Sequence, residues 1–422
     1  MLTEASVTLR RFLFVMWEGG GNVPPILGLA RRLVERGHNV RVISDPCNED
    51  EARAAGCEFT AYSRAPHRTD KTAASTLVKD YEGNPLTGLR SSVKILWSSA
   101  FAQDVLEELI ARPVDVCCIN DVLLSALFAA EKVGIPAVLL MPNRSDLLPG
   151  PGVGLGGKAQ VAFRTFLFQR TLLPQAINDV QHTRRELGLP PIRNIFSYYY
   201  QLSRILIMTS RAFDSKTEPG PNCRHVGAIL DDPTWTDAWQ SPWAADQTDP
   251  LVIVSLSTTY QGQEQVLQKV LDALDGLKVR GLVTLGPTLD KAQFKIPSNV
   301  VVRQSVPHTQ VFPMASAVVT HCGHGTVIRA LAGGVPLVCI PFGRDQPGNA
   351  SRVMAKGAGL KLDKKADVAT IRQAIQRIIN EPTFRDNARR LGKIITDDAR
   401  SSIAVQELEQ VAATYALTSV NA

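Results

Sequence analysis

A chain of 422 residues, 45% hydrophobic and 20% charged, is long enough for two or three cores and too balanced in composition for a disordered or fibrous protein. The net charge of +6 is diffuse, with no Lys/Arg run of five or more, so neither nucleic acid nor an anionic membrane surface is implied. No apolar stretch reaches membrane-spanning length and the first residues lack a secretory apolar region. With the seven cysteines odd in number and read as reduced thiols, a cytoplasmic protein is expected.

Residues 11–16 read as a buried strand, 18–22 as a Gly-rich turn, 24–36 as an amphipathic helix stopped at Gly37, and 40–44 as the next strand. Strand, helix and strand in that order predict a parallel sheet with right-handed crossovers. Further strands are expected near 58–62, 114–120, 137–141 and 205–208, with a mobile polar loop over 64–88. Residues 142–157 are rich in Pro and Gly. Gly152, Gly154 and Gly157 fit GxGxxG, but the stretch lies some ten residues past a strand with no acidic residue about twenty positions on, so a loop is the better reading. Helices are expected over about 159–187.

The span 214–250 is dense in Pro, Asp and Trp and reads as a linker with aromatic anchors. A second α/β series follows, with strands at 251–255, 281–285, 299–303, 317–320 and 336–340, a helix near 263–277, and largely helical chain from 366 to 415. The expected class is α/β: two doubly wound, Rossmann-like parallel sheets facing a cleft. The expected domains are 1–215, a linker 216–249, a second domain 250–395, and a helical segment 396–422 that packs back on the first.

Two motifs in the second half carry chemistry. In Thr320-His-Cys-Gly-His-Gly-Thr326 a strand meets a helix through Gly323 and Gly325. Glycines let backbone approach a ligand, and a helix N-terminus favours phosphate. Thr326 adds a hydroxyl, and His321 and His324 add ring donors. No Lys follows the glycines, which excludes the ATPase phosphate loop. One βα unit later, Asp345-Gln346 offers a carboxylate beside a carboxamide, suited to vicinal sugar hydroxyls. Phosphate turn and polyol pair together suggest a nucleotide diphosphate sugar.

At these residues the chain resembles glycosyltransferase family 1, inverting enzymes of GT-B fold that use UDP- or dTDP-sugars. The likeness is strongest from Val302 to Gly359. It includes Ser305-Val-Pro307, Gly334-Val-Pro-Leu and Asn349-Ala350, and extends to Val254-Ser-Leu-Ser257-Thr258 and Arg224 to Pro233. The resemblance implies that His321, Gly325 and Thr326, with Gly323, His324 and Ser257 or Thr258, hold the diphosphate. Val306 backbone would hold the base, and Asp345 and Gln346 the sugar. No DxD motif occurs, so metal-independent chemistry with no cofactor is expected. The acceptor would enter the first half, against Gly20, Gly21 and Asn143, and would be a lipophilic polyketide, macrolide or phenol. Attack on C1 would give a β-glycoside.

Two departures stand out. Where the family carries a His general base, this chain has Asn22. Asp121 is expected as the base, with Asn22 orienting the acceptor. An unshifted Asp is weak for that task, so burial, an acidic phenol or a carbon nucleophile is needed. His67 is an alternative base. Arg329 stands where the family often has Glu, and is expected to reach a phosphate or face solvent. The competing readings are a nucleotide-sugar-binding protein without transfer and a GT-B nucleotide-sugar epimerase.

Overall fold

The computed structural model describes residues 8–79, 85–142, 174–193, 195–214, 220–232 and 239–420. Two wholly parallel sheets organise it. In the first, β1 (Arg11–Val15), β2 (Asn39–Ser44), β3 (Glu58–Ala61), β4 (Val116–Asn120), β5 (Ala137–Met141), β6 (Arg204–Ile207) and β7 (Cys223–His225) run in the order β3-β2-β1-β4-β5-β6-β7. In the second, β8 (Leu251–Ser255), β9 (Arg280–Thr284), β10 (Val300–Arg303), β11 (Ala317–Thr320), β12 (Leu337–Cys339) and β13 (Gly359–Lys361) run β10-β9-β8-β11-β12-β13.

Both sheets bury both faces. Along β1, Leu13 and Val15 enter one core while Phe12 and Phe14 enter the other. Along β8, Leu251 and Ile253 separate in the same way from Val252 and Val254. Side chains alternate across a strand, so continuous apolar runs are what a sheet covered by helices on both faces requires.

Each order reverses once, between β1 and β4 in the first sheet and between β8 and β11 in the second. Loops leaving the two strands at such a point diverge to opposite faces and leave a crevice at their carboxyl ends. The four loops at the two switch points are therefore the Trp17–Asn22 turn, the start of 121–123, the 256–263 loop and the His321–Gly323 turn.

The structure differs from expectation in three places. Cys223–His225, inside the span read as linker, is a parallel edge strand on β6, with Ile205 opposite Cys223. At three residues, next to Pro and Asn, it is too short to show periodicity; β13 was missed for the same reason. The loop read as mobile is pinned at its start, over 63–75. The Asp104 carboxylate accepts from the N–H groups of Ser63, Arg64 and Ala65, and the Arg68 guanidinium donates to Thr72 O and Ser75 Oγ. A helix, Pro85–Leu96, then begins within it. In the linker, Trp239 and Trp243 pack on the second domain's core, and the Arg280 guanidinium lies 5.4 Å from the Trp243 ring. Of the expected helices at 159–187, Pro174–Glu186 is present; the GxGxxG stretch and Asn143 lie outside the described residues.

The last helix, Ile403–Val420, returns to the first sheet. Ala404, Val405, Leu408, Val411 and Ala412 share a core with Phe12, Phe14 and Val116. Glu409 accepts from Arg36 Nε at 2.8 Å, and Glu407 from Arg204 Nε at 2.6 Å.

Candidate active site

The β11 strand ends at Thr320, and the turn that follows is strained. Cys322, fully buried, adopts φ of 70°, a left-handed value rare outside glycine. Asn349, also fully buried, steadies it by donating Nδ2 to the Cys322 carbonyl at 3.0 Å. The same nitrogen donates to Asp345 Oδ2 at 2.7 Å. One carboxamide thus ties the phosphate-type turn to the carboxylate of the next βα loop.

The helix His324–Ala332 starts with Gly323 as N-cap and without a side-chain cap. Its first-turn N–H groups at His324, Gly325 and Thr326 are thus left for a ligand, and the dipole favours an anion there. Gly323 is required by packing: a Cβ would lie 2.5 Å from His321 Nε2. His321 is buried and donates a ring N–H to the Ser255 carbonyl. Burial, with Arg344 nearby, holds its pKa down at about 4, so the ring is neutral and its one N–H is the one given to Ser255.

Other expected donor residues are placed differently from one another. Ser257 Oγ accepts from Gln261 Nε2 at 2.5 Å, and Thr258 is exposed against the opposite domain. Val306 follows β10 with its side chain in the core. His324 turns away: its Nε2 meets Thr209 Oγ1 at 2.9 Å and its ring packs edge-on to Phe213, so it contributes helix backbone rather than a ring donor to the turn. Gln346 Oε1 accepts from the N–H groups of Phe342 and Gly343, and its Nε2 donates to Gln261, leaving one amide hydrogen. It shapes its own loop. Asp345, though the N-cap of the helix Gln346–Ala355, makes no side-chain cap bond. Arg329 is half-buried. It donates to the Asp231 carbonyl at 3.0 Å and clamps the linker.

Two residues passed over in the sequence also belong here. Arg344, with φ of 56°, donates Nη1 to Thr259 Oγ1 at 2.9 Å and brings a cation next to His321. Asn120, fully buried at the end of β4, is the second. A polar residue closing an all-apolar strand, and an Arg just before the Asp-Gln pair, were the available signals.

Across the cleft, Asn22 Nδ2 donates to Asn120 Oδ1 at 2.9 Å and to the Trp17 carbonyl at 3.2 Å, while Asn120 Nδ2 donates to Asp121 Oδ1 at 2.8 Å. Both donors of Asn22 are thereby committed to the protein. Only Oδ1, buried and without a partner, remains for anything else. Burial pushes the Asp121 carboxyl up to about 7, with a further push from the charge of Asp345. His67 Nδ1 is bound to Ala65 O at 2.8 Å within its own loop.

The two switch points face each other. A Cβ on Gly20, whose φ is +75°, would lie 2.6 Å from Thr258 Oγ1, and one on Gly325 would lie 3.8 Å from the Gly21 carbonyl. A carboxyl near neutrality on one wall therefore confronts an uncapped helix and a carboxylate on the other. Among the described residues, no group of three or more His, Cys, Asp or Glu is placed to hold a metal ion.

Residues 268–411 match the family model for the erythromycin biosynthesis protein CIII-like C-terminal domain. The 4'-demethylrebeccamycin synthase of Lentzea aerocolonigenes is 27% identical over 90% of this chain and 94% of its own. Among solved structures, the glycotransferase of kitacinnamycin superposes with a TM-score of 0.75 at 19% identity, covering 96% of this chain and 99% of that one. The glycosyltransferase VinC, in complex with dTDP, does so at 0.72 and 18%, covering 96% and 100%. Together with the paired switch points, these matches define a glycosyltransferase of GT-B fold. Its likeness is to the family 1, natural-product type, including the erythromycin CIII-like group.

Proposed function

We propose that this protein transfers a hexose from UDP- or dTDP-sugar to a lipophilic small-molecule acceptor with inversion, in the cytoplasm and without a metal ion. The observation that carries the reading is the placement of Asp121, with a pKa near neutrality, opposite Asp345 and the uncapped helix start. A general base works best when its pKa lies near the working pH. Asp121 removes the proton from the acceptor atom as that atom attacks C1 of the sugar. The C1–O bond to the diphosphate breaks on the opposite face, so an α-linked donor gives a β-glycoside. The developing charge on the leaving diphosphate is met by the N–H groups of Gly325 and Thr326, packed against the His321 ring, and by the Arg344 guanidinium. Asp345 accepts from sugar hydroxyls.

VinC, a neighbour by fold, is solved in complex with dTDP, which supports a nucleoside diphosphate as part of the donor here. A protein that only bound the donor would have no use for a half-buried carboxyl tuned to neutrality on the opposite wall. The test is turnover of UDP-glucose and dTDP-glucose with a panel of phenols and macrolide aglycones, with and without EDTA. The anomeric proton coupling of the product reports stereochemistry. Nucleotide binding without product on any acceptor would overturn transfer, α-product would overturn inversion, and loss of activity in EDTA would overturn metal independence.

A further inference from the structure

The His base expected on the first βα turn is replaced here by a chain of two carboxamides, and the direction of that chain is fixed. Asn22 Nδ2 has two acceptors in reach, Trp17 O and Asn120 Oδ1. That sets Asn22's amide with nitrogen toward β4 and oxygen toward Gly19, where a Cβ would lie 2.8 Å from Oδ1. Because Asn120 Oδ1 receives this bond, Asn120 must present Nδ2 to Asp121, which it does at 2.8 Å. Every donor in the series points toward the carboxylate, so each bond polarises the next in the same sense. Carboxamides do not accept and release protons near neutrality, so the series orients and stabilises but does not relay.

We infer that Asn120, itself held by Asn22, is a positioning residue for Asp121: it stabilises the ionised carboxylate and leaves the second carboxylate oxygen to take the acceptor's proton directly. This rests on the proposed role of Asp121 and adds what sets its basicity. Opposing effects meet at that carboxyl: burial and the charge of Asp345 disfavour ionisation, while the backbone N–H groups of Asp121 and Val122 and the bond from Asn120 favour it, Asn120 being the one side chain among the donors. The phenol of Tyr199 is the other titratable group that feels Asp121, and burial keeps it protonated throughout the working range. Asn120 has no exposure to solvent and closes a strand whose other four residues are Val, Cys, Cys and Ile. The oxygen and the nitrogen of this buried amide are both used by neighbours in the site, Asn22 and Asp121.

The experiment measures kcat/KM against pH for Asn120→Ala, Asn22→Ala and Asp121→Asn beside the wild type. Calorimetry with UDP or dTDP and circular dichroism serve as controls for a folded second domain and chain. In Asn120→Ala the acid limb moves up by about one pH unit, since a hydrogen bond to the charged form is lost. In Asn22→Ala it moves the same way by less, because Asn120 is freed to turn. Donor KM stays within about two-fold in both. An unmoved limb in a folded, nucleotide-binding Asn120→Ala overturns the inference. Should that variant not fold, Asn22→Ala, which leaves β4 intact, decides by the same criterion. A wild-type profile in Asp121→Asn would instead overturn the base assignment itself, and the inference with it.

Discussion

Asp121 and Asp345 stand at the carboxyl ends of strands in different sheets, and the charge of Asp345 helps to raise the pKa of Asp121. The proposed base and the proposed sugar ligand are thus electrically coupled. On those proposed roles, a sugar whose hydroxyls donate to Asp345 would spread that negative charge and let Asp121 ionise more readily, so donor binding would ready the base.

Replacing Asp121 with Asn should lower kcat/KM by about a hundred-fold or more and abolish the acid limb near pH 7. The same change should stabilise the fold at alkaline pH. Folding raises this carboxyl from 3.8 to about 7, so the folded chain binds its proton more tightly than the unfolded chain. Wild-type stability from this group is full below pH 4 and declines as pH rises through 7. Melting curves should show Asp121→Asn gaining a few degrees over wild type at pH 8 and little at pH 4. A gain that grew toward acid would contradict the assignment.

Gly323→Ala tests the phosphate turn. The new Cβ would meet His321 Nε2 at 2.5 Å, so the ring must leave its place beside the helix start. Nucleoside diphosphate affinity should fall about ten-fold or more by calorimetry, with the fold retained. Unchanged affinity would remove His321 from the diphosphate site.

Arg344→Gln removes the cation nearest His321 while keeping a donor to Thr259. Donor KM should rise about five-fold or more, with more effect at low ionic strength. Steady-state kinetics at two salt concentrations would show it. Equal KM at both would make Arg344 a loop residue only.

Much of the architecture could be read from pattern. The bounds of β5, β8 and β11 coincide with their apolar runs, because parallel strands buried on both faces leave an unbroken apolar signature. The edge strands β7 and β13 carry three residues each and have no such signature. At the candidate site, the places of the Gly-rich turn after β11 and of Asp121 after β4 were legible because they follow from strand ends. The direction in which a side chain turns was not. His324 and Gln346 bind their own scaffolding, Asn22 gives both donors to backbone and Asn120, and Arg329 grips Asp231. Each depends on contacts between residues distant in sequence, which no local spacing encodes.

Leu408→Ala probes the returning helix. Leu408 is fully buried among side chains of β1 and β4, and its truncation should cost about 2–5 kcal/mol. Urea unfolding followed by tryptophan fluorescence would measure it. A loss below 1 kcal/mol would mean that the cluster collapses around the gap.

That helix has a consequence for how the chain is born. The first sheet is translated early, yet one side of it is sealed by residues 404–412, which emerge from the ribosome only after the whole second sheet. A nascent chain halted anywhere before them carries Phe12, Phe14 and Val116 without their final cover. Since domains otherwise fold in order as they are made, the first half of this enzyme should acquire full resistance to proteolysis only after residues 404–412 have emerged.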